Sequence, residues 1–278
     1  MIAAIVVWYN PSLEEIAHVN DYINDVEEVV IMDNSKNNNF CSIKKYIKNY
    51  NKIVYRHYVQ NVGLCVALNN GLKLINDSGY KWALIMDSDS SFITNIVAVY
   101  KKYIQKDNTL DIAVLSPVHV FDRSKEKPFF GVKNLKWAMT SGCLYNLEIF
   151  NIIGGFKQEL FVDGLDIDYC YRARKNGYKI IEFSEAKLNH HPGDTKTINL
   201  LNRYEFKYGI ASPWRYYMQA RAIVWLILKY HHVEDVFRYI YKWLKILFLF
   251  DNKKKYINEM LKGSIEGVDL WKKDKKKH

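Results

Sequence analysis

Two carboxylates, Asp87 and Asp89, close an apolar run in the stretch KWALIMDSDSS, Lys81 to Ser91. Trp82 to Met86 have the length and composition of a strand buried on both faces, so both acids fall at its C-terminal end. Open α/β sheets bind their ligands along that edge. Carboxylates placed there suit a hard divalent cation, Mn2+ or Mg2+, that keeps waters and accepts phosphate oxygens as further ligands. An isolated Asp-x-Asp is also an ordinary solvated turn, so its surroundings must decide. A second acidic stretch, Asp163, Asp166 and Asp168, opens a helix running to Asn176 with Gly177 as its C-cap. Acids at a helix N-terminus interact favourably with the macrodipole, which accounts for one or two of the three.

The elements that position these residues alternate. Ile2 to Tyr9 is an apolar run and reads as a central strand; Ser12 and Glu15 then form a capping box that opens a helix to about Asn24. A strand at Val29 to Met32 ends in Asp33, and a helix near Ile43 to Asn49 leads to a strand near Ile53 to Tyr58. Asn61 to Gly63 turns the chain into a helix reaching about Asn76. After the Trp82 strand come a helix from about Thr94 to Gln105 and a strand from Ile112 to Leu115. Strands and helices of this length in alternation predict a parallel sheet with right-handed crossovers. Regularity then fails between Pro117 and Lys136. Ala138 to Tyr145 reads as a strand broken at Thr140 to Gly142, and strands near Lys179 to Phe183 and Ala186 to His190 precede His191. Asn10, Asp33, Asn61, Asp87, Asp89, Asp163, Asp166 and His190 all fall at element ends. In a parallel sheet those ends share one edge, which is the physical case for an active site.

The chain has 278 residues, 49% hydrophobic and 25% charged, enough for a substantial core. Its charge is uneven. From Lys229 to His278 there are 13 Lys and Arg against 7 Asp and Glu, a net of +6 within a formal +10 for the whole chain. After Trp214 the pattern is helical only. Val236, Ile240, Trp243 and Leu247, with Phe237, Leu244 and Phe248, form one helical face, and Arg238, Lys242 and Lys245 take the other. That helix either packs on a core or lies on an anionic membrane, where its lysines, with Lys253 to Lys255 and Lys272 to Lys277, meet lipid phosphates. The expected division is 1–212 for the sheet domain and 213–278 for a basic amphipathic extension. Cys41, Cys65, Cys143 and Cys170 are far apart and read as reduced thiols. No leader-like segment and no apolar run of about 18 residues is visible, so a cytoplasmic protein is expected. Nothing resembles a nucleic-acid motif.

The stretches VVWYNP, VVIMDNS, QNVGLCVALNNGL, ALIMDSDS, TSGCLYN, GGFKQELFVDGLDIDYCYRARKNGY, LNHHPGD and WRYYMQARA stand in the order found in family-2 glycosyltransferases. Over about residues 1 to 220 the chain resembles that family, with its GT-A fold, and specifically the rhamnosyltransferase-like branch. Each motif is weak alone; together and in order they are specific. The resemblance implies an α/β, mostly parallel sheet and an inverting sugar transfer from a nucleotide sugar, dTDP-rhamnose or a UDP-hexose, to a glycan acceptor. The basic amphipathic end suits an acceptor that is lipid-linked at the cytoplasmic face of the plasma membrane.

It also implies roles. Tyr9, Asn10, Pro11 and Asp33 would hold the base, Asp33 accepting from the imide N–H. Asn61 and Gly63 would lie against ribose and phosphates. Asp89 would bind the metal, with Asp87 toward metal or ribose, and His190, with His191 its rival, would reach metal or diphosphate. In the family the base is the second residue of a Glu-Asp pair ahead of a helix; here Leu165-Asp166 stands at that place. Asp166 is therefore the expected base and Asp163 the alternative, with Arg172 and Arg174 as acid partners or phosphate contacts.

Three other readings compete. A phosphatase of the haloacid-dehalogenase type also puts Asp-x-Asp after a strand, but on an early one. A catalytically inactive binding module of the same fold would not need Asp87, Asp89 and Asp166. The C-terminal helices could also join two copies of the chain.

Overall fold

The structure is a computed structural model that describes residues 1–106, 109–123, 128–191, 193–200 and 204–276. Lys277 and His278, the end of the expected basic tail, lie outside the described residues. Two compact units emerge: Met1–Phe161 with Tyr169–Pro192, and Val162–Asp168 with Gly193–His278.

In chain order the first unit holds β1 (Ile2–Trp8), α1 (Leu13–Ala17), β2 (Glu28–Asp33), α2 (Phe40–Tyr46), β3 (Ile53–His57), α3 (Leu64–Asp77), β4 (Trp82–Asp87) and β5 (Ser91–Phe92). It continues through α4 (Ile96–Ile104), β6 (Ile112–Val120), β7 (Val132–Asn134), β8 (Cys143–Asn146) and α5 (Leu147–Ile153). After α6 (Leu165–Lys175), whose first turn belongs to the second unit, β9 (Lys179–Asn189) completes it. The Ser12–Glu15 capping box is present at α1. That helix stops at Ala17, short of the expected Asn24, because Val19, Tyr22, Ile23 and Val26 are drawn into the core and a 3-10 turn replaces it. Asn20 marks the change, its amide donating to the carbonyls of Ala17 and Tyr46.

The sheet runs β3-β2-β1-β4-β8-β6-β9-β5, with β7 on β9. Strands β3, β2, β1 and β4 are parallel neighbours. Strand β8 runs against both β4 and β6, and β9 is parallel to β6. The sheet is mostly parallel, as expected, with β5, β7 and β8 reversed. No described helix lies between β6 and β8, so this connection is not the helical crossover that parallel pairing needs. The two short strands expected near residues 179–190 are one strand, β9, with a bulge where Pro117 pairs Phe183 but Val118 pairs Lys187. The expected strand from Ala138 begins only at Cys143.

Strands β1, β2, β3, β4, β6 and β9 all point the same way, so their C-terminal ends share an edge. Under that edge Val6, Trp8, Ile31, Leu84, Met86 and Leu115 form a buried apolar layer.

The second unit holds the acidic segment 162–168, an antiparallel hairpin of β10 (Asp194–Leu200) and β11 (Tyr204–Ile210), and helices α7 (Pro213–Tyr230), α8 (Val233–Leu249) and α9 (Lys253–Lys275). Sequence patterning missed the hairpin. Tyr208, Tyr216, Ala220, Ile246, Phe250, Tyr256 and Met260 build its own small core. Helix α9 approaches α7 closely through Gly263 and Gly267, where a Cβ would lie 2.2 Å from the Tyr217 carbonyl and 2.5 Å from that of Arg221. Arg221 on α7 pairs with Glu266 at 2.7 Å beside that contact.

Helix α8 is turned opposite to the expected core-packing pose: its basic side faces inward, so Lys242 and Lys245 are not free to meet lipid phosphates as the membrane pose expected. Asp235 and Lys245 are buried, and Arg238 pairs with Asp235 at 2.9 Å. Lys242 donates to Gln219, and Lys245 donates to the Gly209 carbonyl. Lys242 and Lys245 also sit over the ring of Tyr216. The basic side faces inward because these partners neutralise and bond it. The apolar side, Val236, Phe237, Ile240, Leu244, Leu247 and Phe248, is exposed. Among the described residues no helix is long and apolar enough to cross a membrane.

Candidate active site

Strand β4 delivers Asp87 at its last position, and the turn that follows carries Asp89 and Ser90. Two residues on, β5 pairs with the end of β9, Ser91 opposite Asn189. That short pairing brings His190 to the acids from a hundred positions away. Ligand atoms of Asp87, Asp89 and His190 lie within 4.8 Å of one another, with His190 Nδ1 4.0 Å from Asp87 Oδ2. His191, its rival, is exposed and lies outside this cluster.

Behind the cluster is a polar chain that sequence reasoning missed. The Asp87 N–H donates to Ser141 Oγ, whose hydroxyl donates to Ser90 Oγ at 2.9 Å. Ser90 Oγ in turn bonds His190 Nδ1 at 2.8 Å. His119 donates from Nε2 to the Ser141 carbonyl at 2.7 Å, and its ring meets that of His190 edge-on. Burial depresses the pKa of His119 to about 4. Burial also lowers that of His190, against the pull of Asp89. Both rings are therefore neutral at pH 7, and a neutral imidazole can ligate a metal. Two carboxylates and one imidazole are a donor set that fits a divalent cation. The TSG and DSDS motifs contain Ser141 and Ser90, but nothing in their spacing links them to a histidine.

At the ends of β1 and β2, Asp33 is fully buried. It accepts from the Ser35 N–H at 2.9 Å, the Asn39 amide at 2.9 Å, the Asn39 N–H at 3.3 Å and the Tyr55 hydroxyl at 2.5 Å. Burial pushes its pKa up, but the bonds from Ser35, Tyr55 and Asn39 outweigh it and hold the carboxyl below its ordinary value. Four donors fill its acceptor positions, so a base imide would have to displace the longest of them. Asn10 has φ +52° and donates its N–H to Ser35 Oγ, which ties the loop after β1 to the turn after β2. Beside it Tyr9 is exposed and Pro11 half-buried.

Asn61 accepts from the Gly63 N–H at 2.8 Å and leads into α3. Gly63 has φ +88°, and a Cβ there would lie 2.5 Å from the ring of Phe161. The close neighbour that requires glycine is thus a side chain of this protein. Phe161 itself has φ +66° and ψ −60°, a strained γ-turn held by the Cys65 N–H donating to its carbonyl. The acidic segment starts at the next residue.

In that segment, Asp163 Oδ1 pairs with Arg215 at 3.0 Å, while its Oδ2 is buried without a hydrogen-bond partner. Burial raises its pKa, with Arg215 and Lys242 opposing. Asp166 is raised to about 6, chiefly by burial; the Ile167 N–H works against this and the neighbouring Asp163 charge adds to it. Asp168 is fully buried and bonds Tyr230 at 2.6 Å, with Lys229 at 3.6 Å. Arg172 donates instead to the carbonyls of Ile153, Gly154 and Gly155, closing the C-terminus of α5, and Arg174 is exposed.

Residues 9–158, more than half of the chain, match the family described as Glycosyl transferase family 2. The chain belongs to that family. It is also similar to the dTDP-rhamnosyl transferase RfbF of Shigella flexneri, 25% identical over 96% of this chain and 95% of that one. S. aureus TarS, residues 1–349, shares the fold with a TM-score of 0.56 at 19% identity, covering 97% of this chain and 82% of TarS 1–349. GalNAc-T7, solved with UDP, GalNAc and Mn2+, superposes with a TM-score of 0.54 at 14% identity over 68% of this chain, which spans 43% of that one. The fold is thus GT-A-like, with helices at the C-terminal end of the chain. As a family-2 glycosyltransferase the chain carries Asp33, Asn61, Gly63, Asp87 and Asp89 inside the matched stretch. Asp163, Asp166 and His190 lie beyond it.

Proposed function

We propose that this glycosyltransferase moves L-rhamnose, with inversion, from dTDP-rhamnose to a glycan hydroxyl, on a lipid-linked acceptor, in the synthesis of a bacterial surface polysaccharide. The observation that carries the reaction is the convergence of Asp87, Asp89 and His190. The rhamnosyl donor is supported by the similarity to dTDP-rhamnosyl transferase, which runs the length of both chains.

In this reading Tyr9, Asn10, Pro11 and Asp33 receive the base, the imide taking the position now filled by the Asn39 N–H. Asn61 and Gly63 border the ribose and phosphates. Asp89 would be the direct metal ligand, with Asp87 toward metal or ribose and His190 completing the set. Held there, a divalent cation would supply positive charge against the diphosphate. The Ser141–Ser90 chain holds His190 in place for that task.

Asp166 is the base. It takes the proton of the acceptor hydroxyl while the hydroxyl oxygen bonds to the anomeric carbon and the electron pair of the old C–O bond leaves with the diphosphate. A carboxylate whose pKa is about 6 suits this better than one at the ordinary value, since proton transfer is most efficient when the base's pKa lies near the working pH. Asp163, paired with Arg215, is the alternative base.

A second reading, a UDP-hexose donor, is favoured by the fold shared with TarS, solved with UDP-GlcNAc. Thermal melts with dTDP-rhamnose, UDP-glucose and UDP-GlcNAc, each with Mn2+, Mg2+ or chelator, separate the two. The expected outcome is the largest stabilisation by dTDP-rhamnose with Mn2+. In Asp89→Ala that stabilisation should be lost while the melting temperature of the free protein is unchanged. Equal binding in chelator would remove the metal, and a larger effect of a UDP-sugar would select the second donor.

A further inference from the structure

From Val236 to Phe248 every exposed position of α8 is apolar or aromatic: Val236, Phe237, Ile240, Tyr241, Leu244, Leu247 and Phe248. The steps of one, three and four place them on one stripe about 18 Å long. Phe237 is 65% exposed and Phe248 74%. Isolated exposed hydrophobes are ordinary, but a continuous stripe with no charge in it marks an interaction surface. The charged residues of these turns, Arg238, Lys242 and Lys245, are occupied on the opposite side by Asp235, Gln219 and the Gly209 carbonyl.

We infer that this stripe docks on the surface of an anionic phospholipid bilayer, with α8 lying in the interface. Charge decides between a bilayer and a second copy. Lys253, Lys254 and Lys255 are exposed immediately after the stripe, and Lys272, Lys273 and Lys275 are exposed further along α9. A symmetric pair through the stripe would bring the exposed Lys253, Lys254 and Lys255 of two copies together, whereas lipid phosphates complement them. No described helix is long and apolar enough to cross a membrane, so on a bilayer the apolar side of α8 lies in the interface. The lysines within α8 are not the lipid contacts; those following it are.

Sedimentation of the full chain with phosphatidylcholine–phosphatidylglycerol vesicles, and with phosphatidylcholine alone, tests this. The measurement needs neither donor nor acceptor, so its failure leaves the transfer reading untouched. The chain should sediment with the anionic vesicles at low salt. Phe237→Glu with Leu244→Glu should lower the bound fraction at least roughly tenfold, since two buried apolar side chains are lost. A separate variant, Lys253, Lys254 and Lys255 each to Gln, leaves the stripe intact and should weaken binding and flatten its salt dependence. The second variant decides if the first unfolds by circular dichroism. Absence of vesicle binding at low salt overturns the proposal, as does a dimer in light scattering that Phe237→Glu with Leu244→Glu dissolves without any effect on vesicles.

Discussion

Two acids three positions apart in the same segment are held differently, and the proposed roles rest on that difference. Asp163 is held by Arg215, whereas Asp166 accepts from the N–H of the next residue, Ile167. Burial raises the Asp166 pKa to about 6. Between about pH 4 and 6 the folded chain therefore binds more protons than the unfolded chain, and stability falls as pH rises through that window. Asp166→Asn removes the penalty. Above pH 6 it should stabilise the protein by up to about 3 kcal/mol, less whatever solvent screening removes, and below pH 4 it should change little. The same variant should lose on the order of 10²–10⁴ in transfer rate with donor binding unchanged. In wild type the rate should climb through about pH 6 on its acid limb. Denaturant melts across pH and steady-state rates measure both. A large loss in Asp163→Asn with near-normal transfer in Asp166→Asn would move the base to Asp163.

At the scale of elements, the junction between α3 and the turn at Phe161 is where local strain and tight packing meet. Gly63 sits at φ +88° against the Phe161 ring, and Phe161 itself is held in a strained γ-turn. Gly63→Ala places a Cβ in a region that L residues rarely adopt and 2.5 Å from an aromatic carbon. It should cost about 1–3 kcal/mol, read as a lower urea midpoint. Donor affinity should fall as well, because the same residue borders the phosphates in the proposed site. An unchanged midpoint would show that the ring moves aside freely and that the turn positions nothing.

Across the whole molecule the two compact units depend on different things. Asp33, Asn61, Gly63, Asp87, Asp89 and His190 belong to the sheet unit, and the acids Asp163 and Asp166 belong to the helical one. Within the helical unit α9 is packed on α7 through Gly263 and Gly267, and Tyr256 and Met260 from α9 complete its core. Deleting residues from Asn252 onward should therefore loosen this unit and leave the other folded. In hydrogen exchange the amides of α7 should lose protection while those of β1, β2 and β4 keep theirs, and donor-induced stabilisation should persist. Full protection of α7 after the deletion would show that α9 contributes nothing to it.

Much of this was already written along the chain. The apolar runs at Ile2 and Trp82, the Ser12–Glu15 box and the order of motifs fix strand identity and family, because each depends on neighbours within a few positions. The strand-end carboxylates Asp33 and Asp87 are legible for the same reason. Tertiary structure decided what depends on partners far away. Periodicity does not reveal that β8 runs antiparallel, nor that the two-residue pairing of β5 with β9 draws His190 to the acids. The polar chain from Asp87 through Ser141 and Ser90 to His190 joins residues with no common period. Helix α8 makes the point most sharply. Its two faces are plain in the sequence, but which one is buried is not, since amphipathicity specifies a division and only the neighbours specify its direction. Tyr216, Gln219, Asp235 and the Gly209 carbonyl supply partners for the cations, and so the hydrophobic face is the one left outside.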